Sequence, residues 1–262
     1  VAIDLKDYEK GEKFKGDYDA ALIAAQDRLA RAQVAHIVCG KRSVIAIEGW
    51  DAAGKGGAIQ RLTAKWDPRY FEVWPISVPT EEEKSRHFLW RFWKRLPGDQ
   101  EISVFDRTWY GRVLVERVEG FCSSKEWKRA YDEINEFEAR QKDDGTLIVK
   151  LFFHVTQEEQ DERLRARLEH PWKRWKVTPD DFRNRLRRDD YLDALKDMFA
   201  ETDTRWAPWK VIDGNNKKSA RIEALTYIAD RLEKHAPAKP PHADPKVAEL
   251  AKTHFGTDIS LD

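Results

Sequence analysis

The sequence predicts an α/β fold, a parallel sheet covered by helices on both faces, and three observations carry that expectation. Five short apolar, β-branched or aromatic runs recur along 262 residues, separated by segments that read as helices, most of them capped. The first run empties into a glycine-rich turn followed at once by a helix-like stretch, the strand–turn–helix grammar of such sheets. Eleven tryptophans in a chain that is 36% charged combine an aromatic interior with a charged exterior. That length can bury a sizeable core, so one domain is expected over residues 1–236, followed by a proline-rich tail over 237–262.

The elements follow in order. Residues 1–16 mix charges without a period and read as an arm. From Asp17, the spacing of Tyr18, Leu22, Ala25, Leu29 and Ala32 predicts an amphipathic helix. The β-branched run that opens residues 43–57 and empties into the glycine-rich turn is the first strand, and Ala58–Lys65 the helix after the turn. Phe71–Ile76 is a second strand, with Pro75 restricting it to an end or an edge. Thr80 and Glu83 form a capping box opening a helix that places Phe88, Leu89, Phe92 and Trp93 on one side until Leu96-Pro-Gly98 stops it. Glu101–Phe105 is the third strand. Ser123 with Glu126 caps a helix ending near Asp143-Asp-Gly145, and Thr146–Val155 is the longest strand candidate. Thr156 with Glu159 caps an arginine-rich helix ended by Pro171, and Thr178-Pro-Asp-Asp181 starts another with proline at its first position. Trp209–Asp213 is the last strand, and Asn216–His235 the closing helix. Beyond Pro237 no structure is expected.

Lysine plus arginine equals aspartate plus glutamate at 47 each, so overall charge does not announce a polyanionic partner and any such site must be local. Cys39 and Cys122 have no metal-binding or paired spacing, which fits two structural thiols in a reducing compartment. No run of eighteen apolar residues and no signal-peptide pattern occur, so membrane spanning is not expected and a cytoplasmic location is.

Chemistry concentrates first at Gly49-Trp-Asp-Ala-Ala-Gly-Lys-Gly-Gly57. Gly49, four residues, then Gly54-Lys55 satisfies the spacing of a phosphate-binding loop. Backbone N–H groups of Gly49, Ala52, Ala53, Gly54, Gly56 and Gly57 can face phosphate oxygens, the helix behind adds its dipole, and Lys55 brings a point charge. Gly56 stands where a Ser or Thr commonly ligates Mg²⁺, so the metal needs other ligands. Asp51, inside the loop, and Asp106, at the end of the third strand, are the candidates. Arg107, Arg112 and Arg117 follow as forks suited to phosphoryl oxygens, with pairing to Glu116 or Glu119 as the structural alternative.

The second concentration runs from Arg163 to Arg188. Arg163, Arg165, Arg167, Lys173, Arg174, Lys176, Arg183, Arg185, Arg187 and Arg188 face only Glu169, Asp180 and Asp181 in sequence. Two helices meeting at Pro171–Val177 form a basic hairpin, read as a lid over a polyanion rather than as a plain solvated face. Trp172 and Trp175 interleave with it; they read as base-stacking platforms or, equally well, as packing for the hairpin. The seven histidines lack metal spacing, and His154 reads as a satisfied core residue.

Together these motifs resemble one family. Gly49–Gly57, Phe105-Asp-Arg-Thr-Trp-Tyr-Gly-Arg112, Val115-Glu-Arg-Val-Glu-Gly-Phe121 and Pro171-Trp-Lys-Arg-Trp-Lys-Val-Thr178 are similar to polyphosphate kinase 2, from about Tyr8 through the closing helix. The resemblance implies a P-loop kinase fold with a basic helical lid at about residues 160–190. It implies reversible phosphoryl transfer between inorganic polyphosphate and a nucleotide with Mg²⁺, or Mn²⁺ in its place, in a homodimer or homotetramer. Family members share the glycine matching Gly56. Asp51, Lys55, Asp106 and Arg107 would be the catalytic set, Asp51 and Asp106 its metal ligands, and Arg112 would sit near nucleotide phosphates beside Arg117. The lid residues Arg163, Arg167, Lys173, Arg174, Lys176, Arg183 and Arg187 would hold polyphosphate.

Gly111 resembles the AMP-phosphorylating subclass; the ADP-phosphorylating one commonly has Asn there. The AMP subclass usually carries two fused domains and this chain one; AMP is the first acceptor expected, with ADP or GDP as the alternative. Two rivals stand beside this reading: an ATP-dependent nucleoside monophosphate kinase, and a nucleic-acid binder using the basic hairpin. The partners expected are polyphosphate and nucleotide, not nucleic acid or membrane.

Overall fold

Val44, Ile45, Ala46 and Ile47 are all buried, which in a strand means cover on both faces. In the computed structural model they form the middle of β1 (Ser43–Gly49); the structure describes residues 3–237, 239–240 and 244–256. With β2 (Phe71–Pro75), β3 (Ile102–Asp106), β4 (Leu147–His154) and β5 (Trp209–Asp213) it makes an all-parallel sheet of order β2-β3-β1-β4-β5. From β1 the chain builds β2 and β3 to one side, then crosses to β4 and β5 on the other. The carboxyl ends of β1, β3 and β4 therefore border one crevice, where ligands bind in sheets of this kind. Pro75 closes an edge strand, where its missing N–H costs nothing.

One helical layer is α1 (Tyr18–Val38), α2 (Lys55–Leu62) and α10 (Lys217–His235), packed on each other and the sheet. The chain between them contributes the short α3 (Glu81–Lys84) and α4 (Trp90–Trp93). The second layer is α5 (Val115–Val118), α6 (Ser124–Asp143) and α9 (Arg188–Thr202). α7 (Gln157–Glu169) and α8 (Pro179–Leu186) form the predicted hairpin. Helices α6 and α8 start where the sequence places them, α6 behind the reciprocal box Ser123/Glu126 and α8 behind Thr178, whose N–H donates to Asp181 at 2.8 Å; Asp17 and Asn216 cap α1 and α10. No helix among the described residues is long and apolar enough to cross a membrane.

Three expectations fail. The segment from Thr80 is two four-residue helices, α3 and α4, not one. In a straight helix Glu83 and Arg95 would stand about 18 Å apart, whereas Arg95 pairs with Glu83 at 2.9 Å and Arg91 at 3.3 Å, so the chain folds back between them. Residues 3–16 are not a free arm. Ile3, Leu5 and Tyr8 pack on the core, and the Gly11 N–H donates to Asp213 at 2.7 Å. The tail carries α11 (Pro245–Phe255), capped by Asp244 with proline at its start and left-handed Gly256 at its end. Residues 238, 241–243 and 257–262 of that tail lie outside the described residues.

At the opposite end of the sheet, His36 is fully buried, its Nε2 2.8 Å from Ser43 Oγ and its Nδ1 3.1 Å from the Ala32 carbonyl. Burial, reinforced by nearby His235 and Lys41 charge, pushes the imidazole down to about 4. Its folded value lies below the unfolded value near 6.5, so the unfolded chain binds the extra proton as pH falls. Stability should decline between about pH 6.5 and pH 4 by ~3 kcal/mol from this group. Urea unfolding at pH 7, 6 and 5 checks this: wild type should weaken steadily, and His36→Gln should flatten the slope. A wild-type profile that holds level or rises on acidification refutes it.

Candidate functional site

Gly49 ends β1 at φ 143°, a conformation that L side chains rarely adopt, and a Cβ there would lie 2.4 Å from the Phe153 carbonyl oxygen. That contact turns the chain out of the sheet. Ala52 (φ 61°) and Gly54 (φ 112°) complete the turn into α2. The first helical bond is Ala58 N–H to Gly54 O at 3.0 Å, so the N–H groups of Lys55, Gly56 and Gly57 have no helical acceptor. They face outward with the helix dipole behind them, an anion site by construction. Lys55 opens α2 and donates to the carbonyls of Gly49 (2.6 Å) and Trp50 (2.9 Å), which leaves one of its three donors for a ligand.

Asp51 stands in the turn. Arg107 donates to its Oδ1 and Asn184 to its Oδ2, each at 2.9 Å. Burial opposes its ionisation, but Lys55, Arg107 and the Asn184 amide outweigh burial and hold the carboxyl below its ordinary value. Burial pushes the Lys55 ammonium down, with Asp51 opposing. Asp106 ends β3 beside Ile47 of β1, and no hydrogen bond or ion pair engages its carboxylate among the described residues. Arg107 follows with φ 67°, a strained value for a residue with a side chain. The strain is held by hydrogen bonds on either side: Arg107 N–H to Ile47 O at 3.0 Å, and Thr108 N–H and Oγ1 to the buried Glu48 carboxylate at 2.7 and 2.8 Å. Asp51, Lys55, Asp106 and Arg107 thus converge at one crevice, as the sequence led us to expect.

Two carboxylates with free lone pairs suit a hard, oxygen-seeking cation such as Mg²⁺, which takes one or two protein carboxylates and fills its shell with phosphate and water. Among the described residues no cluster of three or more His, Cys, Asp or Glu side chains could hold a metal unaided. The donor set therefore fits a metal that arrives with phosphates.

The structure reassigns several cations. Arg163 is buried and donates to Ala52 O (3.1 Å), Ala53 O (3.0 Å), Gly214 O (2.5 Å) and Glu159 (2.6 Å), so it braces the loop rather than meeting a polyanion. Arg183 pairs with Glu119 and Asp180, and Arg187 with Asp190. Arg117 donates to Asp197 and Tyr131 and lies 4.1 Å over Trp127, joining α5 to α6 and α9 rather than reaching phosphate. Arg112 pairs with Glu116 at 3.0 Å over the Phe88 ring. Arg165, Arg167, Lys173, Arg174 and Lys176 have no carboxylate partner among the described residues. Trp172 and Trp175 are 84% and 75% exposed, which removes the packing role open to them in sequence. His154 is satisfied in the core, by Trp50 and Glu9.

Sequence reading missed Glu48, Gln160, Asn184 and the pair Glu138–Lys150. Gln160 donates to the Asp51 carbonyl at 3.1 Å. Lys150 and Glu138 are fully buried and 2.9 Å apart; Glu138 also accepts from Trp109 (3.0 Å) and Tyr110 (2.7 Å), fixing the turn after Arg107. A polar residue closing the apolar run of β1, and a lysine in the middle of β4, were the available signals.

A phosphate-binding loop on the central strand, an Asp-Arg turn on its neighbour and a basic helical hairpin define a P-loop fold built for phosphoryl groups. The chain belongs to the polyphosphate kinase 2 (PPK2) family, which residues 12–240 match. It is 52% identical over 192 residues to a polyphosphate:AMP phosphotransferase of Acinetobacter johnsonii, covering 73% of this chain and 40% of that one. It is 40% identical to ADP-polyphosphate phosphotransferase 3 of Rhizobium meliloti, covering 83% and 76%. The polyphosphate kinase 2 structure from Arthrobacter aurescens TC1 superposes with a TM-score of 0.88 at 34% identity, covering 97% of this chain and 93% of the other. The chain spans less than half the length of the AMP phosphotransferases it matches.

Arg163→Met should cost about 2–4 kcal/mol, because it leaves three buried carbonyls without donors. Lys173→Ala should cost about 0.5 kcal/mol or less. Urea denaturation of both tests the division between bracing and free cations; equal losses would erase it.

Proposed function

We propose that this chain transfers a phosphoryl group from inorganic polyphosphate to AMP, reversibly and with Mg²⁺. The observation that carries the reading is the unneutralised row Arg167, Lys173, Arg174 and Lys176 on the same hairpin that contacts catalytic Asp51. A polyphosphate chain has repeating charge and nothing else to read, so it needs cations in series more than shaped pockets. AMP as acceptor is supported by Gly111 and by relatives named polyphosphate:AMP phosphotransferase.

Phosphoryl transfer asks a protein for in-line positioning and charge neutralisation rather than covalent chemistry. The N–H groups of Lys55–Gly57 receive phosphoryl oxygens, and Lys55 offers its remaining donor. Arg107 uses one guanidinium N–H on Asp51 and keeps the others for the migrating group. Asp51 and Asp106 would hold Mg²⁺, which would supply positive charge to offset that of the phosphoryl groups. Arg112, paired with Glu116 over the Phe88 ring, would have to exchange that partner to meet the nucleotide phosphates. Mn²⁺ has the same ligand preference. A homodimer or homotetramer and a cytoplasmic location complete the reading, the latter supported by two unbridged cysteines.

ADP or GDP as acceptor is the second reading, favoured by the Rhizobium meliloti relative, which this chain covers over most of its length. Anion-exchange analysis of products from polyphosphate with AMP, ADP or GDP separates the two. ADP formed from AMP far faster than ATP from ADP supports the first; the reverse ratio supports the second. Turnover with ATP but not polyphosphate as donor would overturn both.

Lys55→Ala and Asp106→Ala should each lower kcat by about 10²-fold or more with cooperative unfolding retained. Near-normal rates in either would remove its assignment. Neutralising Arg167, Lys173, Arg174 and Lys176 together should raise KM for polyphosphate about tenfold or more while leaving KM for nucleotide within about twofold. An equal rise in both would dissolve the lid's role.

A further inference from the structure

Three consecutive residues of α8 reach three different partners, one within the hairpin and two outside it. Successive helical side chains diverge by roughly 100°, so Arg183, Asn184 and Arg185 fan across the helix. Arg183 reaches Glu119 beyond α5 at 3.0 Å, and Arg185 grips Asp161 of α7 through two bonds of 2.5 and 2.7 Å. Between them, Asn184 Nδ2 donates to Asp51 Oδ2 at 2.9 Å. The amide cannot turn over without loss: its Oδ1 accepts from the Tyr191 hydroxyl at 3.1 Å, so the NH₂ group faces the carboxylate. Tyr191 is itself buried on α9, edge-on to Trp50 at 6.1 Å between ring centroids.

The terminal torsion of an aspartate is soft and close to two-fold. Arg107 alone, on Oδ1, would leave the plane of the Asp51 carboxylate free to rock. Asn184 on Oδ2 supplies the second point. Among the described residues it is the only side chain of the hairpin that touches a predicted catalytic carboxylate.

We propose that Asn184 is a positioning residue: its amide fixes the Asp51 carboxylate and makes seating of the basic hairpin part of the catalytic geometry. This rests on the phosphoryl-transfer reading above. Hairpin and loop then act as one unit, so a donor chain gathered by Arg167, Lys173, Arg174 and Lys176 meets an Asp51 already oriented.

Asn184→Leu keeps the size and removes both polar atoms. It should lower kcat by about 10- to 100-fold, the scale of small misplacements in a transfer site, with nucleotide KM within about threefold and an unchanged melting temperature. Tyr191→Phe should cost less alone and nothing further in the Asn184→Leu background, because both act through one amide. A purely structural role would give additive losses and a lowered melting temperature. The kinetics use whichever donor wild type turns over, polyphosphate or ATP, so a wild type inactive with polyphosphate counts against the function and not against Asn184. A readout without turnover completes the test: Asp51→Ala should speed amide hydrogen exchange over residues 181–186. A kcat within twofold of wild type in Asn184→Leu, additive behaviour with Tyr191→Phe, or unchanged exchange in Asp51→Ala would each overturn the proposal.

Discussion

The Asp51 carboxylate is the point on which the separate parts of the structure close. Arg107 reaches it from the turn after β3, Asn184 from α8, and Lys55 stands across the loop, while Gln160 of α7 holds its backbone carbonyl. A buried carboxylate is costly unless opposite charge and donors surround it. Here the compensation comes from residues 4, 56 and 133 positions away in sequence. Satisfying one charge therefore fixes the relative placement of loop, Asp-Arg turn and hairpin, and each of those was named independently as part of a phosphate site.

A second buried charge holds the frame behind it. Lys150, in the middle of β4, points into the layer of α6 and α9, where Glu138, Tyr110 and the Thr202 carbonyl take its three donors at 2.8–2.9 Å. Burial pushes the ammonium down and Glu138 opposes it. Pairs of this kind add little net stability against an apolar pair of equal volume, yet losing one partner costs about 3–5 kcal/mol. Its value here is geometric. Trp109 and Tyr110, bonded to the same glutamate, cannot shift without stranding it, so the strained Arg107 two residues earlier is held from both sides: by Glu48 through Thr108, and by Glu138 through Trp109 and Tyr110.

Much of this was legible in sequence because it is local. Caps, strand ends and the loop are written within a few residues, and Trp209–Asp213 comes out at its observed bounds. Asp106 could be placed at a carboxyl end because an apolar run stops there. What failed was what depends on distant partners. Arg163 and Arg167 lie one helical turn apart and look alike in sequence, but Gly214 approaches one and not the other. The fold-back of Arg95 onto Glu83 breaks a helix whose periodicity was sound. Asn184, an ordinary polar residue in a basic run, acquires meaning only when α8 lies over the loop. The helix α11 was a different miss: Asp244-Pro245 and Gly256 announced it locally, and the surrounding prolines masked the signal.

The division of the hairpin's cations explains why its charge excess survives on a neutral protein. Arg163 and Arg188 are engaged by backbone carbonyls, and Arg183, Arg185 and Arg187 by carboxylates, so these five fix the hairpin in place. The remaining cations meet no carboxylate among the described residues, and of these Arg174 donates to the Leu168 carbonyl at 2.8 Å. Pairing them with acids would have cost little stability, since exposed ion pairs contribute about 0–1 kcal/mol either way. Their lack of acid partners among the described residues is thus not forced by folding, and exposed Trp172 and Trp175 beside them are not forced by it either. Gly56 follows the same logic in the loop. A hydroxyl there would bind metal from the helix, whereas Asp51 presents its carboxylate from within the turn and under the hairpin, so any cation it holds would lie against the hairpin as well.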